Sequence, residues 1–89
     1  MPACDLTIPN EEGLHARPAA KFVKLANQFS CEIWVEKDDE EINGKSIMGL
    51  MMLAAAQGAV IKVTAEGSDA DEALSRITEL VNSGFEIDC

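Results

Sequence analysis

The apolar residues of this chain switch between two spacings, and the order of the switches limits the folds open to it. A two-residue period marks a half-buried strand, and a period of three to four marks an amphipathic helix. Cys4-Asp5-Leu6-Thr7-Ile8 has the first period, and Pro9 ends it. Asn10 to Gly13 read as a loop. Ala19, Ala20, Phe22, Val23 and Ala26 then recur at helical spacing, which predicts a helix over 16–27. Phe22, Val23, Ala26 and Phe29 mark its buried side, and Lys21, Lys24 and Gln28 its wet side. Cys31-Glu32-Ile33-Trp34-Val35-Glu36 returns to the two-residue period. Its inward set, Cys31, Ile33 and Val35, sends Trp34 to the opposite face with Glu32 and Glu36, as a cross-strand packing residue on an open sheet. A charged turn over 37–40 leads into a short strand, Glu41-Ile42-Asn43, and an Asn43-Gly44 turn signal. Ser46 stands before an apolar run from Ile47 to Ala54 and reads as the N-cap of a second helix, with Leu50 and Leu53 toward the core. After Gln57-Gly58, the stretch 59–65 is a fourth strand with Ile61, Val63 and Ala65 inward. Ser68 and Asp69 both offer caps for a third helix, whose apolar face is Ala70, Ala73, Leu74, Ile77, Leu80 and Val81 and whose stop is Gly84.

The predicted order is βαββαβα within 89 residues, which argues for one α+β domain over 1–89 with a small core. The alternating strands suggest a sheet with one face covered and one wet. A composition 47% hydrophobic and 26% charged is that of a globular chain. No apolar run reaches the length of about 18 residues that a membrane span needs. The start, Met1-Pro2-Ala3-Cys4-Asp5, lacks the basic and apolar segments of a signal peptide, so a cytoplasmic location is expected. Sixteen acidic against seven basic residues give a net charge of −9. That balance argues against nucleic acid or an anionic membrane as partner. Cys4, Cys31 and Cys89 form no C-x-x-C pair and read as free thiols. One histidine and scattered cysteines lack metal-ligand spacing, so neither a metal nor a cofactor is expected.

The chemistry concentrates in Gly13-Leu14-His15-Ala16-Arg17-Pro18-Ala19-Ala20, which holds the only histidine. Gly13 can supply the backbone angles of a turn. Pro18 suits the first turn of a helix. His15 therefore falls at the cap or first residue of the first helix, with Arg17 beside it. A helix start carries unpaired N–H groups and partial positive charge, and so suits an anion. The same field disfavours imidazolium and leaves a neutral, nucleophilic ring. Arg17 adds a permanent cation matched to phosphate oxygens. Together these groups suit acceptance of a phosphoryl group onto nitrogen. The plainer alternative makes His15 a helix-capping residue beside a surface arginine.

Leu14-His15-Ala16-Arg17-Pro18-Ala19 resembles the active-site signature of the HPr family, the histidine-containing phosphocarriers of the bacterial phosphotransferase system. Lys45-Ser46-Ile47-Met48-Gly49-Leu50-Met51 resembles the regulatory-serine segment of the same family, and the interval and length also fit. The resemblance implies an open-faced sandwich, with a four-stranded antiparallel sheet in the order 1-4-2-3 and all three helices on one face. It implies a carrier rather than an enzyme with turnover of its own. His15 would take a phosphoryl group on Nδ1 from phosphorylated enzyme I and pass it to an enzyme II A-type protein, with Arg17 stabilising the phosphate. It implies a docking surface of Ala16, Ala20, Ile47, Met48, Met51 and Met52, a monomeric protein, and regulation at Ser46. The segment Asn43–Gly49 resembles members phosphorylated by HPr kinase/phosphorylase, which adds that enzyme as a partner. A nitrogen-branch or carbon-control member that works mainly by binding is the alternative within the family. Without the resemblance, the element order also suits a small ligand- or RNA-binding module of ferredoxin-like order. The charge of −9 and the lack of a basic, aromatic strand face count against RNA.

Overall fold

A computed structural model describes residues 2–86; the Cys89 thiol read from the sequence lies outside them. The elements follow in the order β1 (Ala3–Thr7), α1 (Ala16–Ala26), β2 (Glu32–Lys37), β3 (Glu40–Asn43), α2 (Ile47–Met52), β4 (Val60–Glu66) and α3 (Ala70–Asn82). The four strands form one antiparallel sheet in the order β1-β4-β2-β3. This is the expected open-faced sandwich of βαββαβα order, with three helices over one side of the sheet.

The pleat sorts side chains into rows, because residues opposite each other on neighbouring strands share a face. Cys4, Val63, Val35 and Ile42 stand in one inward row, and Ile61 faces Leu6 in the next. Ile33, Val35, Ile61, Val63 and Ala65 are all buried. Phe22 and Leu25 of α1, Leu50 of α2 and Ile77, Leu80 and Val81 of α3 close over them in a single cluster. Trp34 faces the other way as predicted, between Thr64 and Asn43, and is half-buried there. Beside it Glu36 lies directly opposite Glu41, and Glu32 opposite Glu66. Glu36 also faces Lys62 on β4, so this face is a charged, wet one in which like and opposite pairs alternate.

Three details depart from the expected pattern. The second helix stops at Met52 rather than Ala54, because Ala54 takes a left-handed φ of +52°. Asp69 stands at the N-cap of α3 but makes no side-chain cap bond. Its carboxylate instead accepts from the Ser30 and Cys31 amides at 2.9 and 3.0 Å, tying the entry of β2 to the start of α3. Donation from the Ser30 amide, helped by the bonds from Cys31, holds the Asp69 carboxyl below the usual carboxylate range. The Cys31 thiol is pushed up, first by burial and then by the Asp69 carboxylate beside it, which leaves it a poor nucleophile. Phe85, beyond the predicted stop at Gly84, is buried; its amide bonds the Leu80 carbonyl at 2.9 Å, and its own carbonyl accepts from Lys21 Nζ at 2.8 Å. Among the described residues no helix is long and apolar enough to cross a membrane.

Candidate functional site

The site begins at the loop between β1 and α1. Gly13 has φ +71°, and a Cβ built on it would lie 2.5 Å from the Ala55 carbonyl oxygen. Only glycine combines that backbone angle with that approach. The Leu14 amide donates to the same carbonyl at 2.8 Å, and the Leu14 side chain is buried. Asn10 closes the loop from below, donating from Nδ2 to the Gly13 carbonyl at 2.9 Å while its own carbonyl accepts from the Gly13 amide at 3.1 Å. The residue after this anchored pair is His15.

His15 is the N-cap of α1, with extended backbone and a carbonyl that accepts from the Ala19 amide at 2.8 Å. Its side chain makes no cap bond. His15 is thus a helix-capping residue beside an exposed arginine, but it caps through its backbone alone, and the first-turn amides of Ala16 and Arg17 keep no side-chain acceptor among the described residues. The imidazole is about half exposed, at 49%. Its Nε2 lies 3.5 Å from Glu12 Oε2, while Nδ1 has no hydrogen-bond partner among the described residues. Glu12 is a residue that sequence reasoning passed over. The signal available was a carboxylate three positions before the histidine, in a turn able to fold it back.

Arg17 sits in the first turn of α1, exposed and without a hydrogen bond or ion pair among the described residues. It lines an open depression with Glu12, Lys21, Ser83, Phe85 and Glu86, which His15 does not line. The two residues are neighbours at the start of one helix but share no hydrogen bond. Ala16 and Ala20 are exposed on the same helix.

α2 carries the second part of the site. Ser46 is its N-cap, as expected, and its Oγ accepts from the Gly49 amide at 3.0 Å. Lys45, immediately before it, is held by donation from Nζ to the Phe29 carbonyl at 2.7 Å. Within the six-residue helix only Leu50 is buried. Ile47, Met48, Met51 and Met52 are all exposed, Met48 at 73% and Met52 at 70%, and together they form one apolar patch. α1 packs on α2, and the chain leaving α2 at Ala55 is the one that anchors Gly13 and Leu14. His15 is thus tied to the far end of α2, and Ser46 opens the near end of a helix about 9 Å long. The methionine patch lies along the helix between these ends. Among the described residues no group of three or more His, Cys, Asp or Glu side chains is arranged to hold a metal ion.

The sequence matches the family described as "PTS HPr component phosphorylation site" over residues 3–83. It is 52% identical over 80 residues to the phosphocarrier protein HPr of Neisseria meningitidis, covering 90% of each chain. A crystal structure of HPr from Thermoanaerobacter tengcongensis superposes with a TM-score of 0.94 at 48% identity, over 100% of both chains. A second structure from that organism, described as an HPr dimer, matches with a TM-score of 0.78 at 49% identity, over 98% of this chain and 100% of the other. Sequence, fold and the signature around His15 agree along nearly the whole chain, and the protein belongs to the HPr family of phosphocarriers of the phosphotransferase system.

Proposed function

We propose that this protein relays a phosphoryl group in the cytoplasm, as a monomer, from phosphorylated enzyme I through His15 to a histidine or cysteine of an enzyme II A-type protein. The carrying observation is His15 itself: a half-exposed imidazole at a helix start, whose side chain makes no cap bond and whose Nδ1 is unpartnered among the described residues. Exposure lets a donor and an acceptor approach in turn. The uncapped amides of the first turn and the Arg17 guanidinium suit a phosphate held between transfers. One chain supplies all of these groups, which supports the monomeric reading.

Incubation with enzyme I and phosphoenolpyruvate should add one acid-labile, base-stable phosphate, and His15→Ala should take none. Arg17→Ala should slow transfer while changing stability by less than about 0.5 kcal/mol, since an exposed side chain with no partner among the described residues has little to lose. Labelling of the His15→Ala protein would end the assignment. A large loss of melting temperature in Arg17→Ala with normal transfer would make the arginine structural. A labelled protein that passes nothing to any enzyme II A-type protein would favour the regulatory alternative, a member acting mainly by binding.

Ser46 supports regulation of the same docking surface, with HPr kinase/phosphorylase as the modifying partner. The residue is partly exposed and its helix leads directly into the methionine patch. A phosphate there adds a charge of about −1.5 to −2 at a helix start, where the fold tolerates it. The cost falls on a partner that must cover apolar surface beside the new charge. Ser46→Ala should lose about 1 kcal/mol of cap stability and keep normal transfer. Ser46→Asp should melt within a few degrees of the parent and accept phosphate from enzyme I more slowly. Equal transfer by both variants would leave Ser46 as a cap alone.

A further inference from the structure

We propose that Glu12 is a positioning residue for His15: its carboxylate holds the ring proton on Nε2 and so presents Nδ1 as the nucleophile. This rests on the reading of His15 as the phosphoryl acceptor. The observation is the 3.5 Å approach of Glu12 Oε2 to Nε2, on a ring whose other nitrogen has no partner among the described residues. In a neutral imidazole one nitrogen carries the proton and the other the lone pair, and a carboxylate close to one nitrogen, here in ionic contact rather than a closed hydrogen bond, favours the proton on that nitrogen. A carboxylate accepts and cannot donate when ionised, so it selects the tautomer with hydrogen on Nε2. The lone pair then lies on Nδ1, the nitrogen left open.

The loop that carries Glu12 is built to keep this geometry. Asn10 and Gly13 bond each other twice across it, and Leu14 is pinned to Ala55. Glu12 is therefore held from both sides in the chain, although its side chain is 69% exposed. The other charges near the ring are Glu11 on the same loop and Arg17 on α1. The segment that packs on the loop from α2, Ala55-Ala56-Gln57, carries none. No charged side chain but Glu12 pairs with the ring among the described residues.

The transfer step follows from that tautomer. The Nδ1 lone pair forms the new N–P bond, and the bond from phosphorus to the phosphorylated donor breaks with its electron pair returning to the donor atom. The Nε2 proton stays in place, so the His15 ring becomes cationic as it is phosphorylated. Glu12 lies against that new charge, while the phosphoryl group is on the opposite nitrogen, farther away and offset by Arg17. In the onward step the N–P electron pair returns to Nδ1. Because Nε2 is still protonated, the departing ring is neutral imidazole, a better leaving group than imidazolate. A single carboxylate thus assists both acceptance and release, which a relay requires.

The test is the 15N spectrum of labelled protein, recorded at a pH where the spectrum itself shows the neutral ring, read together with transfer rate. The parent should show the Nε2-protonated tautomer in clear excess. Glu12→Ala should move the two ring-nitrogen shifts toward each other and slow transfer from enzyme I about two- to fivefold, as fits an exposed pair. Glu12→Gln, which keeps an acceptor oxygen and loses the charge, should preserve the tautomer and recover part of the rate. Identical ring shifts in Glu12→Ala and the parent would overturn the proposal, as would a changed tautomer with an unchanged rate. Failure of the parent to take phosphate at His15 would instead strike the carrier reading, and the tautomer comparison would still judge whether Glu12 sets the ring.

Discussion

Gly13→Ala is expected to cost about 2–5 kcal/mol and to displace His15 with it. The first contribution is conformational: an alanine held in the left-handed region costs about 1–2 kcal/mol, and Gly13 has φ +71°. The second is steric, since the new Cβ would meet the Ala55 carbonyl oxygen at 2.5 Å and the Ala56 Cα at 3.0 Å. Both are backbone atoms and cannot swing aside, and overpacking of this kind costs about 1–3 kcal/mol. Relief requires the loop to lift from α2, which breaks the Leu14 amide bond to Ala55 and uncovers a buried leucine. In a domain of this size the melting temperature should fall by about 10–30 °C. Gly58→Ala is the matched control, because Gly58 also has positive φ, at +88°, but nothing within 4 Å of its Cβ position. It should lose the conformational part only and keep phosphorylation. Equal melting of the two variants would show that the loop does not press on α2, and the anchoring of His15 would need another cause.

Legibility in the sequence divided along one line, between what a residue's neighbours in the chain decide and what its neighbours in space decide. The inward set Cys31, Ile33 and Val35 was readable because alternation is local, and Trp34 followed on the opposite face. The face of α3 was readable in full, since all six of its predicted residues are buried. His15 at the start of α1 and Ser46 at the start of α2 were readable from a preceding turn and a following apolar run. Strand order is not a local property, and it came from the family resemblance rather than from periodicity. Asp69 shows the limit from the other side. Its position before an apolar face suggested a cap, yet Ser30 and Cys31, remote in sequence, offer two amides that take the carboxylate away from that duty. Phe85 escaped because Gly84 ends the helix and hides the turn that folds the next residue back into the core. Glu12 escaped for the same reason, since its contact with His15 exists only once the loop has closed.

Met48→Asp should reduce phosphoryl transfer from enzyme I by about thirtyfold or more while leaving the fold intact. Stability is spared because the side chain is 73% exposed and α2 rests on the core through Leu50. Substitutions at such positions usually stay within about 0.5 kcal/mol. Binding is not spared. Met48 lies with Ile47, Met51 and Met52 in an apolar patch that runs from Ser46 toward the chain segment anchoring His15. Thioether side chains adapt to more than one partner surface, which suits a carrier that meets a donor and an acceptor in succession. A carboxylate in the middle of the patch would be stripped of water by any partner that covers it. Losses at such central positions are about 2 kcal/mol or more, and each 1.4 kcal/mol is tenfold in affinity. Because docking is lost equally from ground and transition states, the change should appear as a raised KM for this protein with little change in kcat. Met48→Leu should transfer nearly as the parent does, since it keeps the apolar contact. Val60→Asp adds the same charge at an exposed apolar residue outside the patch, in β4, and should also transfer normally. If Met48→Asp and Val60→Asp transfer at the same rate, the patch on α2 is not where enzyme I docks, and its exposure must serve a different partner.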